Sequence, residues 1–381
     1  MKKFDFSIYK DTTQYFAMFD VLIKKHAVNK DHFLLDHNIV PSSYRRCRNS
    51  EQKAGSSIIN KLCKVLKLKP MTNEEIDELE NFADKVYYYM TYKIYKTYEE
   101  DINYINSLLN ENSILFPILK LLLLFLNMNA NKSGKVIISE NKELYLEIMK
   151  YQEFYTDELL EICELAKIFF EGENKEQVYL RTYNNAIAYT ILSYQSSYKK
   201  DYVASLYFAY KAKEIAEREG NIKRIIYLNN TIMMNLLFVG NYDECNELAS
   251  RQKLILQSLD ITGTEMNLVN KFLTVSYLGL EKYKSVIKMF DEHKNLTLTE
   301  FSCFVMAAFK LYRKNFDNFV EDRIDNINTP AYIIEYLRNL RLFLKKPDKN
   351  KLLKLEHPEI MSALKLFYKK MLKPEINEQT I

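Results

Sequence analysis

Four segments of the 381-residue chain open in the same way, with a polar pair, an aromatic residue and then text with helical apolar spacing. They are KDYVASLYFAYKA from Lys200, GNYDECNELASRQ from Gly240, EKYKSVIKMFDEH from Glu281 and KNFDNFVEDRIDN from Lys314. Apolar text precedes each one: ILSY, LLFVG, VSYLGL and AAFKLYR. The starts lie 40, 41 and 33 residues apart, which is the period of stacked helix pairs. One such pair cannot cover its own apolar face, so consecutive copies must pack on one another. A chain of this length with only 7 glycines and 7 prolines also lacks the punctuation that sheets and long loops use. The expected fold is therefore all-α.

The period places the body among tetratricopeptide-like α-solenoids, with further helix pairs at 99–180 and 331–372. Upstream, Thr12–His26 reads as a helix with Phe16, Phe19, Leu22 and Ile23 on one face. NKDHFLLDHNI gives a short second helix capped by Asn29. HNIVPSSYRRCRNS supplies a turn and a third helix, with Pro41 at its start, Ser42 or Ser43 as cap and Asn49-Ser50 at its end. Gly55–Leu68 is a fourth helix with an apolar stripe of Ile58, Ile59, Leu62, Val65 and Leu66. Thr72 with Glu75 forms a capping-box pattern that opens a long connecting helix. The expected organisation is a helix-turn-helix bundle over 1–70, a connector over 71–98 and a repeat domain over 99–381. SGKVIISEN (Ser133–Asn141) reads as an irregular or extended insert.

Charge separates the same regions. Residues 1–70 hold 14 Lys/Arg against 6 Asp/Glu, whereas the whole chain is nearly balanced at 54 against 50. A basic head on an acidic body is suited to a polyanionic partner. The five cysteines are scattered and never spaced as CxxC, which suggests neither a disulfide framework nor a zinc site and points to a reducing compartment. ILFPILKLLLLFL (Ile114–Leu126) has 13 residues with Pro117 and Lys120 inside, too short to span a bilayer, so a buried core helix is expected. With no signal peptide in MKKFDFSIYKDTTQY, the expectation is a soluble, cytoplasmic protein with no membrane partner. The histidines include no HExxH, and no Walker, GxGxxG or GxSxG pattern occurs, so neither catalysis nor a cofactor is expected.

HNIVPSSYRRCRNSEQK followed by IINKLCKVLKL resembles the helix-turn-helix of Cro/repressor-like (Xre) proteins. Ile39 sits where that family places the hydrophobic residue after its turn, and Ile59, Leu62 and Leu66 match the register of its fourth helix. One departure is bulk: Phe33, Leu34 and Leu35 occupy a region that is usually small. The resemblance implies a third helix lying in the major groove. Ser42, Ser43, Arg45 and Arg46 would face base edges, where arginine pairs bidentately with guanine. Arg48, Lys53, Lys61 and Lys64 are placed for phosphates. Tyr44 either packs inward or meets a sugar-phosphate edge.

An Xre-like head on a tetratricopeptide-like body resembles the RRNPP-type (Rgg/PlcR/PrgX-like) peptide-responsive regulators. That resemblance implies a homodimer that binds double-stranded DNA operators and a repeat surface that holds a short linear signalling peptide through asparagines. Asn185, Asn230 and Asn270, in RTYNNAIAY, IYLNNTIMMN and MNLVNKFL, form a candidate row, with Asn184, Asn229 and Asn267 competing for the same roles. A side-chain amide both donates and accepts, as a peptide group requires. Tyr189, Tyr227 and Phe272 are candidates to line side-chain pockets. Helices around Tyr332–Leu344 and Met361–Leu372 are the candidate dimer surface. Two other readings remain open: a constitutive regulator whose repeats recruit protein, and an adaptor that sequesters a protein without binding DNA.

Overall fold

The computed structural model describes residues 3–11, 14–52, 55–92, 98–128, 134–171, 185–292, 296–324 and 330–372. Among these residues the chain is all-α, and the one extended pairing is a parallel bridge between Lys69 and Ser113. A helix-turn-helix bundle at the N-terminus is followed by tetratricopeptide-like helix pairs. Two compact units divide the chain: Met1–Gln195 with Glu214–Arg224, and Ser196–Lys213 with Ile225–Ile381.

The first unit begins with α1 (Ser7–Lys10), α2 (Tyr15–His26), α3 (Lys30–Asp36), α4 (Pro41–Arg48) and α5 (Ser56–Leu66). It continues with α6 (Asn73–Tyr92), α7 (Tyr98–Asn110), α8 (Phe116–Asn127), α9 (Gly134–Ile148) and α10 (Asp157–Glu171), with a 3-10 segment, Met149–Phe154, before α10. Thr72 and Glu75 form the expected capping box at α6, through Thr72 N–H to Oε2 (2.7 Å) and Glu75 N–H to Oγ1 (3.2 Å). SGKVIISEN does not make an extended insert. Its residues from Gly134 onward lie in α9, where Ile137, Asn141, Tyr145 and Ile148 form a buried face against α8. A 3.6-residue period built partly on an asparagine escaped a hydrophobicity reading. α8 itself is buried on several faces, from Pro117 to Leu126, with Lys120 reaching Glu147 at 2.7 Å. Among the described residues no helix is long and apolar enough to cross a membrane.

The expected boundaries at 70 and 98 are not where the compact units divide. Residues 1–70 belong with those up to 195 because the head is joined to the helices that follow. Tyr9 donates to the Phe154 carbonyl (2.9 Å), Gln14 to the Glu153 carbonyl (2.8 Å), and α2 packs along the 3-10 segment. The N-terminal strap is gripped by α6: Asp84 Oδ1 accepts from the amides of Lys3 and Phe4, and Glu80 Oε2 from that of Phe6.

Downstream lie α11 (Ala186–Tyr198), α12 (Tyr202–Arg218), α13 (Ile222–Val239), α14 (Tyr242–Ser258), α15 (Thr264–Gly279), α16 (Tyr283–Glu292) and α17 (Leu298–Leu311). After them come α18 (Phe316–Ile324), α19 (Ala331–Lys345), α20 (Lys349–Leu353) and α21 (Leu364–Leu372). The repeated polar pair has a physical origin. Lys200, Gly240 and Glu281 all take positive φ, at 65°, 80° and 57°. Each donates to the carbonyl three residues back, and the next residue donates five back: Lys200 to Ser197 and Asp201 to Ser196, Gly240 to Leu237 and Asn241 to Leu236, Glu281 to Leu278 and Lys282 to Tyr277. This is the Schellman closure of one helix, and the aromatic that follows starts the next. The fourth copy departs, with a 3-10 turn at Arg313–Asn315 before α18.

The opening aromatic also fixes the stacking. Tyr202 lies flat on Phe238 at 4.4 Å, near the end of α13. Tyr242 lies against Gly279 at the end of α15, where an added Cβ would come within 2.4 Å of the ring. One continuous core then runs from Ala209 to Tyr368. It takes up most apolar residues of the expected dimer surface, including Tyr336, Leu337, Leu340, Phe343, Leu364 and Tyr368, and leaves Tyr332, Ile334 and Leu342 exposed.

Candidate nucleic-acid interface and amide layer

The N-cap of α3 is Asn29, whose Oδ1 accepts from the amides of Asp31 (2.9 Å) and His32 (3.2 Å). Leu34 alone of the bulky trio is fully buried; Phe33 is half-buried against His37, and Leu35 is exposed. The chain turns through Asn38 at φ 56°, a left-handed position that asparagine tolerates, and drops Ile39 into the core. Val40 is extended before Pro41, as steric conflict with the proline ring demands. That makes Val40 the N-cap of α4 and Pro41 its first residue, so neither Ser42 nor Ser43 caps the helix. Both sit in its first turn.

Helical geometry then sorts α4 into two faces. Tyr44 and Cys47 point inward, whereas Ser42, Arg45, Arg46 and Asn49 are exposed and share the outward face by their spacing. Ser43 is half-buried. Tyr44 is fully buried, its ring edge-on to Phe16 at 5.0 Å and its hydroxyl donating to Asp20 Oδ1 at 2.8 Å. The groove-contact alternative for Tyr44 is therefore corrected: it is a core residue with a satisfied hydroxyl.

The three arginines have different fates. Arg48 Nε donates to Asp20 Oδ2 (3.1 Å) and its Nη2 pairs with Glu153, so it ties α4 to α2 and to the 3-10 segment. A phosphate contact by Arg48 would have to displace one of these pairs. Arg45 is exposed and pairs with Asp31 on α3, a contact that nucleic acid would have to displace. Arg46 is exposed and makes no ion pair among the described residues. On α5, Lys61 donates to the Asn38 carbonyl (2.9 Å), which pins α5 to the turn, and Lys64 is exposed. Lys53 lies outside the described residues.

The asparagine row divides as well. Asn185 is the N-cap of α11: Oδ1 accepts from Ile187 N–H (2.8 Å) and Nδ2 donates to Glu161 Oε1 (2.6 Å). Its amide is committed to the fold, which corrects its assignment as a ligand group. Asn184 lies outside the described residues, and Asn267 is exposed. Tyr189 and Tyr227 are half-buried, whereas Phe272 belongs to the core rather than to a pocket.

The remaining amides meet at one level. Asn229 and Gln252 are equidistant from the Gly240-Asn241 turn, and Gln252 and Asn270 are equidistant from the Leu259–Gly263 connection. The antiparallel hairpins α13–α14 and α14–α15 thus bring these three to the same height. Gln252 Nε2 confirms the register by donating to Asn230 Oδ1 (2.8 Å) and to the Ile226 carbonyl (3.3 Å). Asn229, Gln252 and Asn270 are 3 %, 0 % and 7 % exposed, and their side-chain oxygens have no hydrogen-bond donor among the described residues. An unmet buried acceptor costs about 1–3 kcal/mol. Such a layer is completed by N–H or O–H donors, from a ligand or from water. Sequence reading missed Gln252, since it looked only at the first helix of each pair; its place at mid-height of α14 was the available signal.

No family model, no curated protein and no solved structure matches the chain.

Proposed function

We propose that this protein is a DNA-binding transcriptional regulator whose helical-repeat body dimerises and takes up a short linear peptide. The observation that carries the reading is the outward face of α4, where Ser42, Arg45, Arg46 and Asn49 stand clear of a core filled by Tyr44 and Cys47. Short serines permit close approach, and two guanidinium groups match base edges or phosphates. The amide layer at Asn229, Gln252 and Asn270 supports the peptide part through an opening of the helices that bury it, since a peptide backbone would then supply the N–H donors those oxygens lack among the described residues. Peptide regulates only insofar as it prefers one conformation of the dimer over another.

The test is selection of DNA from a random-sequence pool by the full-length protein, followed by fluorescence anisotropy across a salt series. The Arg45→Ala/Arg46→Ala variant should lose sequence selectivity and flatten the log K versus log salt slope by about 2. Failure to enrich any sequence, or a variant in which selectivity and slope are both unchanged, refutes DNA binding by this helix. For the body, Asn229→Ala/Asn270→Ala should abolish capture from a short-peptide library that the wild type binds; equal capture refutes the layer as the peptide site.

A second reading, a protein-docking adaptor, draws support from Leu35 and Val40, each 58 % exposed on either side of the turn between α3 and α4. Under that reading Leu35→Asp/Val40→Asp abolishes partner binding and Arg45→Ala/Arg46→Ala leaves it intact.

A further inference from the structure

A cleft of about 350 Å³ opens in the first unit between α1, α2, α5 and the start of α6. An engineered cavity of about 150 Å³ accepts benzene, so this space suits a molecule of roughly a dozen non-hydrogen atoms. It also falls at the small end of ligand-pocket sizes, about 300–1,000 Å³. Ile59, Met71 and Ile76 supply apolar lining, and Tyr15, Ser56 and Asn60 supply polar atoms.

Two independent features give the cleft a preference. Tyr15 is 3 % exposed, yet its hydroxyl has no hydrogen-bond partner among the described residues. Burial pushes the phenol above its ordinary value, so it remains a donor at neutral pH. Beside it, α5 begins at Ser56 behind Gly55, which offers no capping side chain. The amides of Ser56 and Ser57 consequently have no acceptor among the described residues, and Ser56 lines the cleft, so the positive end of the helix dipole lies at its edge. Lys10 also lines the cleft, but its charge is matched by Asp77 at 2.6 Å, and Asp11 is already engaged. Among the described residues the unmet donors are thus the Tyr15 hydroxyl and the α5 amides, beside the Asn60 and Asn73 side-chain amides, which both donate and accept, with Ile59, Met71 and Ile76 as an apolar floor.

We propose that this cleft binds a small monocarboxylate with a compact apolar body. The carboxylate sits on the α5 amides and accepts the Tyr15 hydroxyl proton in a hydrogen bond, while the hydrocarbon packs on Ile59, Met71 and Ile76. Binding there does not depend on DNA, so the site stands or falls separately from the reading of α4.

The experiment is isothermal titration of the full chain with sodium benzoate, phenylacetate and 3-phenylpropanoate, with benzamide as the uncharged comparator. Saturable binding of at least one carboxylate, at least tenfold tighter than benzamide, is the expected result. Tyr15→Phe, which keeps the ring, should weaken it by about tenfold or more, as loss of one hydrogen bond to a charged group implies. Asn60→Trp, an exposed position on the cleft wall, should block it without changing the helical circular dichroism or the melting temperature. The proposal is overturned by an absence of saturable heat from all three acids up to about 10 mM, a concentration that would detect even weak association. Equal affinity for benzamide, or wild-type binding in both variants, overturns it too.

Discussion

Replacing Gly279 with alanine sets two physical effects against each other at one atom. Gly279 is the last residue of α15 and does not occupy the left-handed region, so its backbone accepts an L side chain. By helix propensity alone the change should stabilise by up to about 1 kcal/mol. The structure gives the opposite sign. The new Cβ would stand 2.4 Å from Tyr242 Cγ and 2.5 and 2.6 Å from its two Cδ atoms. Carbon atoms pack at roughly 3.5–4.0 Å, so the overlap exceeds about 1 Å. Cγ is the root of the ring and cannot bend aside as a side-chain tip can. Either the ring swings out, leaving its contact with Phe367 at 5.6 Å, or α14 and α15 move apart. Overpacking of this kind costs about 1–3 kcal/mol, and loss of a half-buried aromatic a similar amount. We expect Gly279→Ala to destabilise by about 2 kcal/mol net of propensity, lowering the melting temperature by roughly 4–8 °C for a unit of this size. Guanidinium unfolding of the full chain, alongside calorimetry, reads both. The decisive control is the same substitution in a Tyr242→Ala background, where it should become neutral or stabilising by up to about 1 kcal/mol. A Gly279→Ala protein as stable as wild type, with no coupling to Tyr242, would refute the packing of the aromatic against the glycine and with it the stacking rule of the repeats.

Three further outcomes follow from particular contacts. Asp31→Asn releases Arg45 and removes a negative charge from the α4 face, so DNA affinity should rise about three- to tenfold at low salt, with the gain fading as salt increases; anisotropy titrations of matched proteins measure it, and unchanged affinity means that Arg45 does not face the nucleic acid. Tyr44→Phe removes the hydrogen bond to Asp20 and should cost about 1–2 kcal/mol of stability, read by chemical denaturation, while leaving DNA affinity below the melting range unchanged; a loss of affinity in the folded variant would return Tyr44 to the interface. Hydrogen bonds from Lys345 and Arg341 hold Asp317 below its ordinary value of 3.8. The stability that Asp317 contributes is therefore complete above that pH and is lost as pH falls through the depressed native value. Melting curves from pH 6 down to about 2 should show Asp317→Asn with a flatter acid limb than wild type.

Much of the fold was legible because the signals that set it are local. The Schellman closures at Lys200, Gly240 and Glu281 and the caps at Asn29 and Thr72 use donors and acceptors within a few residues of each other. A short stretch of sequence contains everything these contacts need. The same holds for the two faces of α4, which helical spacing alone separates. Misreadings arose where two local signals compete or where a residue's partner is distant. Ser42 and Ser43 are common caps, but Pro41 claims the first helical position and moves the cap to Val40. Asn185 has the composition of a ligand group, yet Glu161 and the α11 amides satisfy it.

An all-α chain of repeated helix pairs with a basic N-terminal bundle is encoded locally, since period, turn chemistry and charge are properties of neighbouring residues. Tertiary structure alone decided which charges and amides remain available for a partner. Arg48 is taken by Asp20 and Glu153, Arg45 leans on Asp31, and Arg46 is left outward. The buried Tyr15 keeps a hydroxyl with no partner among the described residues at an open cleft, and Asn229, Gln252 and Asn270 reach one height from three helices. Whether a polar group is satisfied depends on what the fold brings against it from far along the chain, and no local spacing encodes that.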